Sequence, residues 1–321
     1  MRVLVTGGAG FIGSQFTKMA LNGELGAIDF VRVIDKFTYS GLRSNLESFQ
    51  KSENFELFVG DISNPDDVRN SCEGIDAVIN FAAESHVDRS ISDSAEFIRT
   101  NVDGVRVLLE RCRALDIRLV QVSTDEVYGS ITKGSWTETF PLEPNSPYSA
   151  SKAAGDLLAR SFNKTFGTDV VITRCSNNYG SNQFPEKIIP LFITNLIQGL
   201  NIPLYGDGKN IRDWLHVTDH CRAIQLALTK GKSGEIYNIG GGREMTNIEL
   251  TEKILSELGL NHDKIEYVED RKGHDLRYSV DWEKARKELG YEPQVKFETG
   301  ISETVTWYRE NKSWWEPLKK P

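Results

Sequence analysis

The sequence predicts an α/β protein, built on a doubly wound parallel sheet with a smaller α+β lobe at its C-terminal end. Over the first 180 residues, short β-rich runs alternate with longer helical stretches, which is typical of parallel strands joined by crossover helices. Beyond residue 180 the elements become shorter and less regular. We therefore expect one domain over residues 1–180 and a lobe over residues 181–321, with chain crossings between them allowed.

The apolar and β-branched patterns place the individual elements. The predicted strands are Val3–Thr6, Val31–Asp35, Glu56–Val59, Ala77–Phe81, Leu119–Ser123 and Val170–Arg174. The predicted helices between them are Phe11–Leu21, Leu42–Phe49, Pro65–Cys72, Ala95–Leu115 and Tyr148–Phe166. In the lobe we expect a helix at Ile188–Gln198, a strand at Ile202–Tyr205, a helix after Thr218, and one that opens with the Thr246/Glu249 capping box and ends near Leu258.

Composition and charge exclude several classes of protein. The chain has 39% hydrophobic and 26% charged residues, and no apolar run approaches the roughly 20 residues that a membrane span requires. A formal charge of −8 disfavours nucleic acid as a partner. The cysteines are widely spaced and predict no metal site; they are Cys72, Cys112, Cys175 and Cys221. Since the first strand begins at once and no signal peptide pattern is visible, we expect a cytoplasmic protein.

A glycine-rich loop directly follows the first predicted strand. It reads Thr6-Gly7-Gly8-Ala9-Gly10-Phe11-Ile12-Gly13 and matches both GxxGxxG and GxGxxG. Glycines at these positions allow a tight turn, close approach of the backbone to a pyrophosphate, and packing of helix on strand. Asp35 ends the second strand about 20 residues later, where its carboxylate would bond the adenosine ribose and repel a 2′-phosphate. The combination predicts a Rossmann-type NAD site, and only the adjacent Lys36 would suit NADP.

Further candidates lie at the carboxyl ends of the predicted strands. Asp61 follows the third strand, and the run Phe81-Ala82-Ala83 follows the fourth. Ligands of a doubly wound sheet bind at this edge. Asp61 would reach the adenine or would serve only as a turn or cap residue, and both interpretations stay open.

Tyr148 and Lys152 lie four residues apart at the start of a predicted helix, so they share one face. A tyrosine with its ordinary pKa of about 10 is almost fully protonated near neutral pH. Because a nearby cation lowers such a pKa by roughly 1–3 units, we expect Lys152 to make the Tyr148 phenolate a usable base for a substrate hydroxyl. Lys152 would also bond the nicotinamide ribose.

With these motifs the chain resembles the extended short-chain dehydrogenase/reductase family over essentially its whole length. The segment after the fifth strand, Ser123-Thr124-Asp125-Glu126-Val127-Tyr128-Gly129, is similar to the Thr-Asp-Glu signature of its dTDP-glucose 4,6-dehydratase subgroup. Similar runs are found at Glu84–Ser90, Asn177–Gly180, Pro185–Lys187, Arg212–Trp214 and Arg271–Tyr278. The resemblance implies a hydro-lyase of deoxysugar biosynthesis that converts dTDP-glucose into dTDP-4-keto-6-deoxyglucose with tightly bound NAD.

The chemistry of such a dehydration accounts for two adjacent carboxylates. A C5 hydrogen can be removed only after C4 is oxidised to a ketone, and the stored hydride then returns to C6. Tyr148 would take the C4 hydroxyl proton, and Thr124 would bond the C4 oxygen. Glu126 would remove the C5 proton while Asp125 protonates the departing C6 hydroxyl. We therefore expect Asp125 to hold its proton and Glu126 to lack one; without the resemblance, simple solvation of both charges would be the preferred interpretation.

The resemblance also implies the residues of the two binding sites. The expected cofactor contacts are Gly7, Gly10, Phe11, Ile12, Gly13, Asp35, Lys36, Thr38, Gly41, Asp61, Ile62, Phe81, Ala82, Ala83, Ser85, Thr100, Val122, Tyr148, Lys152 and Asn178. The expected substrate contacts are Ser85, Thr124, Asn177, Glu186, Lys187, Ile188, Pro203, Tyr205, Arg212, Asn247, Arg271, His274, Asp275 and Tyr278. Arginines suit a diphosphate because a guanidinium binds its oxygens bidentately. His86 would be a structural hydrogen-bonding residue as readily as a catalyst.

Other functions on the same fold stay open at this point. A nucleotide-sugar 4-epimerase or decarboxylase would share the C4 oxidation but would not need Asp125 and Glu126. A non-catalytic NAD-binding regulator would have no use for Tyr148 or Lys152. The resemblance also implies a homodimer formed through the helices that contain Val105–Leu115 and Leu157–Phe166.

Overall fold

The structure is a computed structural model that describes residues 1–270 and 273–319. Its strands are β1 (Arg2–Thr6), β2 (Phe30–Asp35), β3 (Phe55–Val59), β4 (Ala77–Asn80), β5 (Arg118–Thr124), β6 (Val170–Cys175), β7 (Asn177–Tyr179), β8 (Ile202–Tyr205), β9 (Ile211–His216), β10 (Ile236–Ile239), β11 (Glu244–Thr246) and β12 (Ile265–Val268). Its α-helices are α1 (Phe11–Leu21), α2 (Pro65–Ser71), α3 (Val87–Ser92), α4 (Ala95–Ile98), α5 (Val105–Leu115), α6 (Pro147–Phe166), α7 (Ile188–Ile197), α8 (Val217–Lys230), α9 (Asn247–Leu258), α10 (Glu283–Leu289), α11 (Phe297–Glu310) and α12 (Lys312–Trp315). A π-helical stretch covers Arg99–Gly104, and 3₁₀ turns cover Arg43–Asn45, Glu47–Phe49, Asp125–Tyr128, His262–Lys264 and Glu316–Leu318.

The central sheet has seven strands in the order β3-β2-β1-β4-β5-β6-β10. All neighbouring pairs are parallel. The direction of winding reverses at β1, which lies between β2 and β4, and a doubly wound sheet binds its ligands at such a switch point. The predicted α/β fold class is confirmed.

Helices cover both faces of this sheet, which explains why its inner strands are buried and rich in apolar residues. All residues of β4 and β6 are buried, as expected where neither face meets water. On one face, α1, α8 and α10 pack in a single core with Phe16, Ile224 and Leu289. On the other face, α2, α5 and α6 form a second core.

The C-terminal lobe carries two small sheets and its own core. Strands β11, β9 and β7 form one sheet and β12 pairs with β8 in the other. Phe192 of α7, Leu250 of α9 and Ile301 of α11 pack together beneath them. The chain then crosses back, because α8 packs on the central sheet and β10 becomes its edge strand. The division at residue 180 therefore stays a prediction, with residues 217–239 as an observed crossing.

Two predicted helices differ from what the structure contains. Leu42–Phe49 is wrong as an α-helix: the segment forms two 3₁₀ turns, and the Leu42 amide and the Asn45 side chain both donate to the Ala9 carbonyl. The helix expected over 95–115 is interrupted by the π-helical stretch. Among the described helices, none is both long and apolar enough to span a bilayer.

Candidate active site

A long cavity follows the carboxyl edge of the central sheet and passes over the glycine loop. The loop needs glycine for a steric reason, since a Cβ atom at Gly13 would lie 2.4 Å from the Gly7 carbonyl oxygen. Helix α1 starts at once from this loop and has no acidic residue in its first turn. Free N–H groups and the helix dipole therefore point at the cavity and suit a phosphate group.

Asp35 lies at the end of β2, at the far side of the glycine loop. Its carboxylate accepts hydrogen bonds from the Ala9 amide at 2.9 Å and from the Phe37 amide at 2.8 Å. Burial raises its pKa, and the two amide bonds oppose that effect. The carboxylate is thus held in place beside the loop, as a residue that contacts the adenosine ribose would need to be.

The cavity fits a dinucleotide. All residues expected to contact the cofactor line it, namely Gly7, Gly10, Phe11, Ile12, Gly13, Asp35, Lys36, Thr38, Gly41, Asp61, Ile62, Phe81, Ala82, Ala83, Ser85, Thr100, Val122, Tyr148, Lys152 and Asn178. Lys36 is occupied by acidic partners, with its ammonium 3.4 Å from the Asp61 carboxylate and 3.7 Å from that of Glu96. Because these carboxylates balance the charge of Lys36, the ammonium is a poor partner for the 2′-phosphate of NADP. The arrangement therefore favours NAD.

A second cavity opens between the central sheet and the C-terminal lobe. Of the expected substrate residues, it is lined by Asn177, Glu186, Lys187, Ile188, Pro203, Tyr205, Arg212, Asn247, His274 and Tyr278, while Ser85 and Thr124 line the first cavity. Arg271 lies outside the described residues. The two cavities share a wall that includes Glu126 and Asn177, so a substrate in the second cavity would meet a cofactor in the first at that wall.

Asp275 lies behind the substrate cavity and holds two of its lining residues. Its backbone carbonyl accepts a bond from the Arg212 guanidinium at 3.0 Å, and its carboxylate accepts one from the Tyr278 hydroxyl at 2.7 Å. The guanidinium of Arg212 also stacks on the Tyr278 ring, 4.0 Å from its centroid. A buried, oriented guanidinium is the group that best binds a diphosphate.

Glu186 connects the lobe with the cofactor domain. Its carboxylate accepts bonds from the Tyr39 hydroxyl at 2.9 Å and from the Arg89 guanidinium at 3.3 Å, and that guanidinium lies 3.6 Å above the Tyr39 ring. The neighbouring Lys187 ammonium donates to the Ser85 carbonyl at 2.8 Å. These contacts hold Glu186 and Lys187, which line both cavities, against the loop after β2 and the segment that follows β4.

A 3₁₀ turn, Asp125–Tyr128, follows β5 and presents the two expected carboxylates; we call it the catalytic turn. The Thr124 hydroxyl caps it by accepting a bond from the Glu126 amide at 3.3 Å. Gly129 ends it with φ of 87°, where a Cβ atom would lie 2.4 Å from the Glu143 carbonyl oxygen. Together, the cap and the close approach of Glu143 fix where the carboxylates lie at the edge of the sheet.

The two carboxylates of the catalytic turn have different environments. Asp125 is 1% exposed, and one of its oxygens has no hydrogen-bond partner among residues 1–270 and 273–319. Burial raises the pKa of Asp125 well above its usual range, and the negative charges of Glu126 and Asp213 add to the effect. Glu126 lines both cavities. The direction of this shift agrees with the expectation that Asp125 holds its proton, which stays a prediction. Solvation of the pair as surface charges is wrong for Asp125, because its side chain is buried.

Tyr148 and Lys152 lie in the first two turns of α6, and both are buried in the first cavity. The Lys152 ammonium donates to the Val122 carbonyl at 2.7 Å. Burial raises the pKa of Tyr148 well above its usual range, and the negative charge of Glu126 acts in the same direction. The expectation that Lys152 lowers this pKa is therefore wrong for the chain alone. Burial also lowers the pKa of Lys152 itself.

Sequence reasoning missed three polar side chains at the site. The Trp214 indole is 4% exposed, lines the second cavity, and its N–H finds no partner within the described part of the chain. Gln183 lines both cavities, and its buried carbonyl oxygen is likewise unpaired there. Asp213, behind the catalytic turn, accepts bonds from Ser176 and from the amides of Gly241 and Arg243. The run Arg212–Trp214, which carries part of the resemblance, contains two of them, and alternation along β9 places Arg212 and Trp214 on one face. No signal in the sequence indicated Gln183.

Comparison with known proteins identifies the family. The family model described as GDP-mannose 4,6 dehydratase matches residues 4–304. A dTDP-glucose 4,6-dehydratase of Streptomyces niveus is 55% identical over 324 aligned residues, covering 100% of this chain and 96% of that one. The chain belongs to the dTDP-glucose 4,6-dehydratase family.

Solved structures of dTDP-glucose 4,6-dehydratases have the same fold as this chain. The crystal structure of DesIV, the enzyme from Streptomyces venezuelae determined with NAD bound, matches with a TM-score of 0.98 and 55% identity, covering 99% of this chain and 100% of that one. The enzyme from Bacillus anthracis, in complex with NAD, matches with a TM-score of 0.93 and 48% identity, covering 99% and 100%. The match therefore extends over the full length of both solved chains.

Two histidines of this dTDP-glucose 4,6-dehydratase family member, His86 and His220, form hydrogen bonds within the fold. His86 caps α3 by accepting a bond from the Arg89 amide. His220 is buried beside Asn178, at 2.9 Å, and burial lowers its pKa to about 3, so it stays neutral. Within residues 1–270 and 273–319, no three His, Cys, Asp or Glu residues are grouped so as to hold a metal ion.

Proposed function

We propose that this chain is a dTDP-glucose 4,6-dehydratase, which forms dTDP-4-keto-6-deoxyglucose and water and uses NAD without consuming it. The observation that carries the proposal is the place of the catalytic turn. Its buried Asp125 lines the first cavity together with Tyr148 and Lys152, and its Glu126 lies where the two cavities meet. An epimerase needs no acid and base for C5 and C6, so this pair favours dehydration.

NAD, when bound, would supply a reversible hydride acceptor for the reaction and a positively charged nicotinamide ring. The glycine loop and the N-terminus of α1 would hold its pyrophosphate, and Asp35 its adenosine ribose. That positive charge would offset the burial and the Glu126 charge that otherwise keep the Tyr148 phenol protonated. Lys152, anchored on the Val122 carbonyl, would bond the nicotinamide ribose.

Tyr148 and the carboxylates of the catalytic turn then carry the protons. Tyr148 takes the C4 hydroxyl proton as the C4–H bond breaks, which leaves a ketone and makes the C5 hydrogen acidic. Glu126 removes that C5 proton, and Asp125 gives its own proton to the C6 oxygen, so the C6–O bond breaks and water departs. When hydride reaches C6, a proton returns to C5 from Glu126. Tyr148 then loses the proton it took and Asp125 regains one, by exchange with water, before the next turnover. No net oxidation occurs, and the raised pKa of Asp125 supports its role as the acid.

The substrate cavity provides separate contacts for the phosphates and for the hexose. The Arg212 guanidinium, oriented by Asp275 and Tyr278, would bind the diphosphate. Lys187 would add a second positive charge, and Asn177 and Thr124 would face the hexose. Thymine as the base is supported by the 55% identical relative.

Product analysis tests this function directly. The purified chain is incubated with dTDP-, UDP- and GDP-glucose, and alkali is then added to reveal the ultraviolet absorbance of a 4-keto-6-deoxy sugar. We expect the signal with dTDP-glucose. Its absence with all three nucleotides would refute dehydration, and a stronger signal with UDP- or GDP-glucose would refute thymine as the preferred base.

Two further expectations belong to this proposal. A homodimer through α5 and α6 is supported by large apolar side chains that are about half exposed around these helices: Ile98 at 52%, Leu157 at 51% and Phe166 at 49%. Light scattering should give twice the chain mass for the wild type, and replacement of Leu157 by Glu should give the monomer. We also propose a cytoplasmic location, which cell fractionation would test.

A further inference from the structure

A buried polar network lies directly behind the catalytic turn and outside both cavities. Its members are Tyr128 at the end of the turn, Asp156 of α6, Arg174 of β6 and Asn238 of β10. Each is at most 2% exposed, and none lines the cofactor or the substrate cavity. The catalytic mechanism described above assigns these residues no part.

The hydrogen bonds of this network have a fixed direction. The Arg174 guanidinium donates from Nε to the Asp156 carboxylate at 2.9 Å and from Nη1 to the Tyr128 hydroxyl at 2.8 Å. Because a guanidinium can only donate, the Tyr128 hydroxyl must donate onward, and it does so to the Asn238 Oδ1 atom at 2.9 Å. Asn238 in turn donates to the Trp136 carbonyl.

The network joins the two parts of the chain that carry the proposed catalytic groups. Asp156 lies one helical turn after Lys152 in α6, the helix that also carries Tyr148. Tyr128 ends the turn that carries Asp125 and Glu126. The planar guanidinium of Arg174 therefore donates hydrogen bonds to both elements. One bond goes to α6, which carries Tyr148, and the other goes to the catalytic turn, which carries Asp125 and Glu126.

Stability alone explains such an arrangement poorly. A buried ion pair often contributes little to stability compared with apolar residues of the same volume, because both charges lose their hydration. Here one Asp156 oxygen and one Arg174 nitrogen, both buried, remain without a hydrogen-bond partner in the described part of the chain. We therefore interpret the Asp156–Arg174 pair as a means of fixing the position of the elements it joins.

We propose that Arg174 is a positioning residue for the dehydration step, and that it acts through the Tyr128 hydroxyl to hold the catalytic turn at a set distance from helix α6. The inference rests on the proposed function. Oxidation of C4 requires Tyr148 of α6, whereas elimination of water also requires Asp125 and Glu126 of the turn. Loosening the link would displace the carboxylates from a sugar held over α6, so elimination slows more than oxidation.

Two substitutions break the link in different ways. Tyr128→Phe keeps the ring and removes the hydroxyl, and Arg174→Lys keeps the charge for Asp156 but has no second arm. The measurement is a single turnover with NAD-loaded enzyme in excess over dTDP-glucose, followed by acid quenching and mass spectrometry of the sugar nucleotides. We expect dTDP-4-keto-glucose, oxidised but not dehydrated, to accumulate in both variants while product formation slows about 10- to 100-fold.

Tyr237→Phe is the matched control. Tyr237 is also buried and also lies in β10, but its hydroxyl bonds to the Lys232 amide and the Glu288 carboxylate, away from the network. We expect it to lower the melting temperature without accumulation of the oxidised sugar. Should Tyr128→Phe fail to fold, Asn238→Ser removes the acceptor of the Tyr128 hydroxyl, together with the bonds that the Asn238 amide donates to the Trp136 and Asp281 carbonyls. It should give the same accumulation to a smaller degree.

The outcomes separate this inference from the proposed function. A wild-type enzyme that forms no dehydrated product from dTDP-glucose would refute the function, whatever the variants do. If the wild type forms product, and folded Tyr128→Phe and Arg174→Lys either match it or slow without the oxidised sugar appearing, the positioning role is wrong.

Discussion

Replacing Asp125 by Asn should separate two consequences of its burial, one for catalysis and one for stability. The side chain is 1% exposed, and its Oδ2 atom has no partner among residues 1–270 and 273–319. Asn has the same shape, so the bond that the Thr124 hydroxyl donates to Oδ1 at 3.3 Å can be kept. The substitution therefore removes a proton donor and an ionisable group with little change in packing.

The catalytic loss should be large. A positioned general acid typically contributes about 10²–10⁴-fold to a rate, and the leaving C6 hydroxyl has Asp125 as its proposed donor. We expect kcat with dTDP-glucose to fall by that factor while KM changes by less than about threefold, because the acid acts in the transition state and not in binding. Steady-state kinetics with alkaline detection of the product measures both.

The free energy of unfolding of the Asp125→Asn variant should rise at neutral pH, although its activity falls. In the unfolded chain Asp125 ionises with a pKa of about 3.9, whereas burial keeps it protonated to higher pH in the folded chain. The folded state then binds more protons than the unfolded state, so wild-type stability falls by about 1.4 kcal/mol for each pH unit above about 4, until the folded pKa is passed. The Asn variant lacks this loss and should be more stable at neutral pH.

Urea unfolding of both proteins between acidic and neutral pH tests the stability difference. We expect the two free energies of unfolding to agree below about pH 4 and to diverge as the pH rises. A variant that keeps activity within about tenfold of the wild type would refute the acid assignment. Equal pH dependence of stability in the two proteins would refute the raised pKa.

Three further predictions concern the two binding cavities. Gly13→Ala places a Cβ atom 2.4 Å from the Gly7 carbonyl oxygen. The protein should therefore lose about 1–3 kcal/mol of stability and purify with less NAD, measured by chromatography after denaturation. An unchanged NAD content would contradict the loop geometry. Asp35→Ala removes a charged acceptor worth about 1.5–3 kcal/mol, so calorimetry should find weaker NAD binding and a smaller preference over NADP, and an unchanged preference would contradict the ribose contact. Trp214→Phe removes a buried N–H donor that lines the substrate cavity and has no partner within the described residues. The Kd for dTDP-glucose should rise about three- to tenfold, and an unchanged Kd would make the indole a packing group only.

Local signals in the sequence were sufficient to predict the first half of the fold and the residues that line the cofactor cavity. The bounds of α1 agree to the residue, and the capping box at Thr246 forms as predicted. Both depend on contacts within one or two turns of the chain. Many of the residues expected around NAD gather because they follow strands of one parallel sheet, and the carboxyl ends of these strands meet at one edge.

Features that depend on distant parts of the chain were not predictable in this way. The apolar spacing of Leu42–Phe49 suggested a helix, but its amide and side-chain contacts with Ala9 hold it as 3₁₀ turns. The π-helical stretch lets Asn101 bond to both the Glu84 carbonyl and Ser151. Strand β10 has four residues, and nothing local indicates that it pairs with β6.

The pKa of Tyr148 was misjudged for a related reason. Spacing in a helix places Lys152 on the same face as the phenol, but it does not reveal that the ammonium is directed to the Val122 carbonyl. Nor does it reveal how deeply the phenol is buried, or how strongly Glu126 acts on it. Electrostatic behaviour in the site follows from burial and from neighbours brought together by the fold.

Transfer of isotope within the sugar tests the central claim most directly. dTDP-glucose that carries deuterium at C4 is converted by the NAD-loaded enzyme in ordinary water, and the product is analysed by NMR spectroscopy and mass spectrometry. The account predicts a 4-keto product that has lost water and carries the deuterium on the new C6 methyl group. Deuterium retained at C4 of an epimerised sugar, or no loss of water, would contradict it.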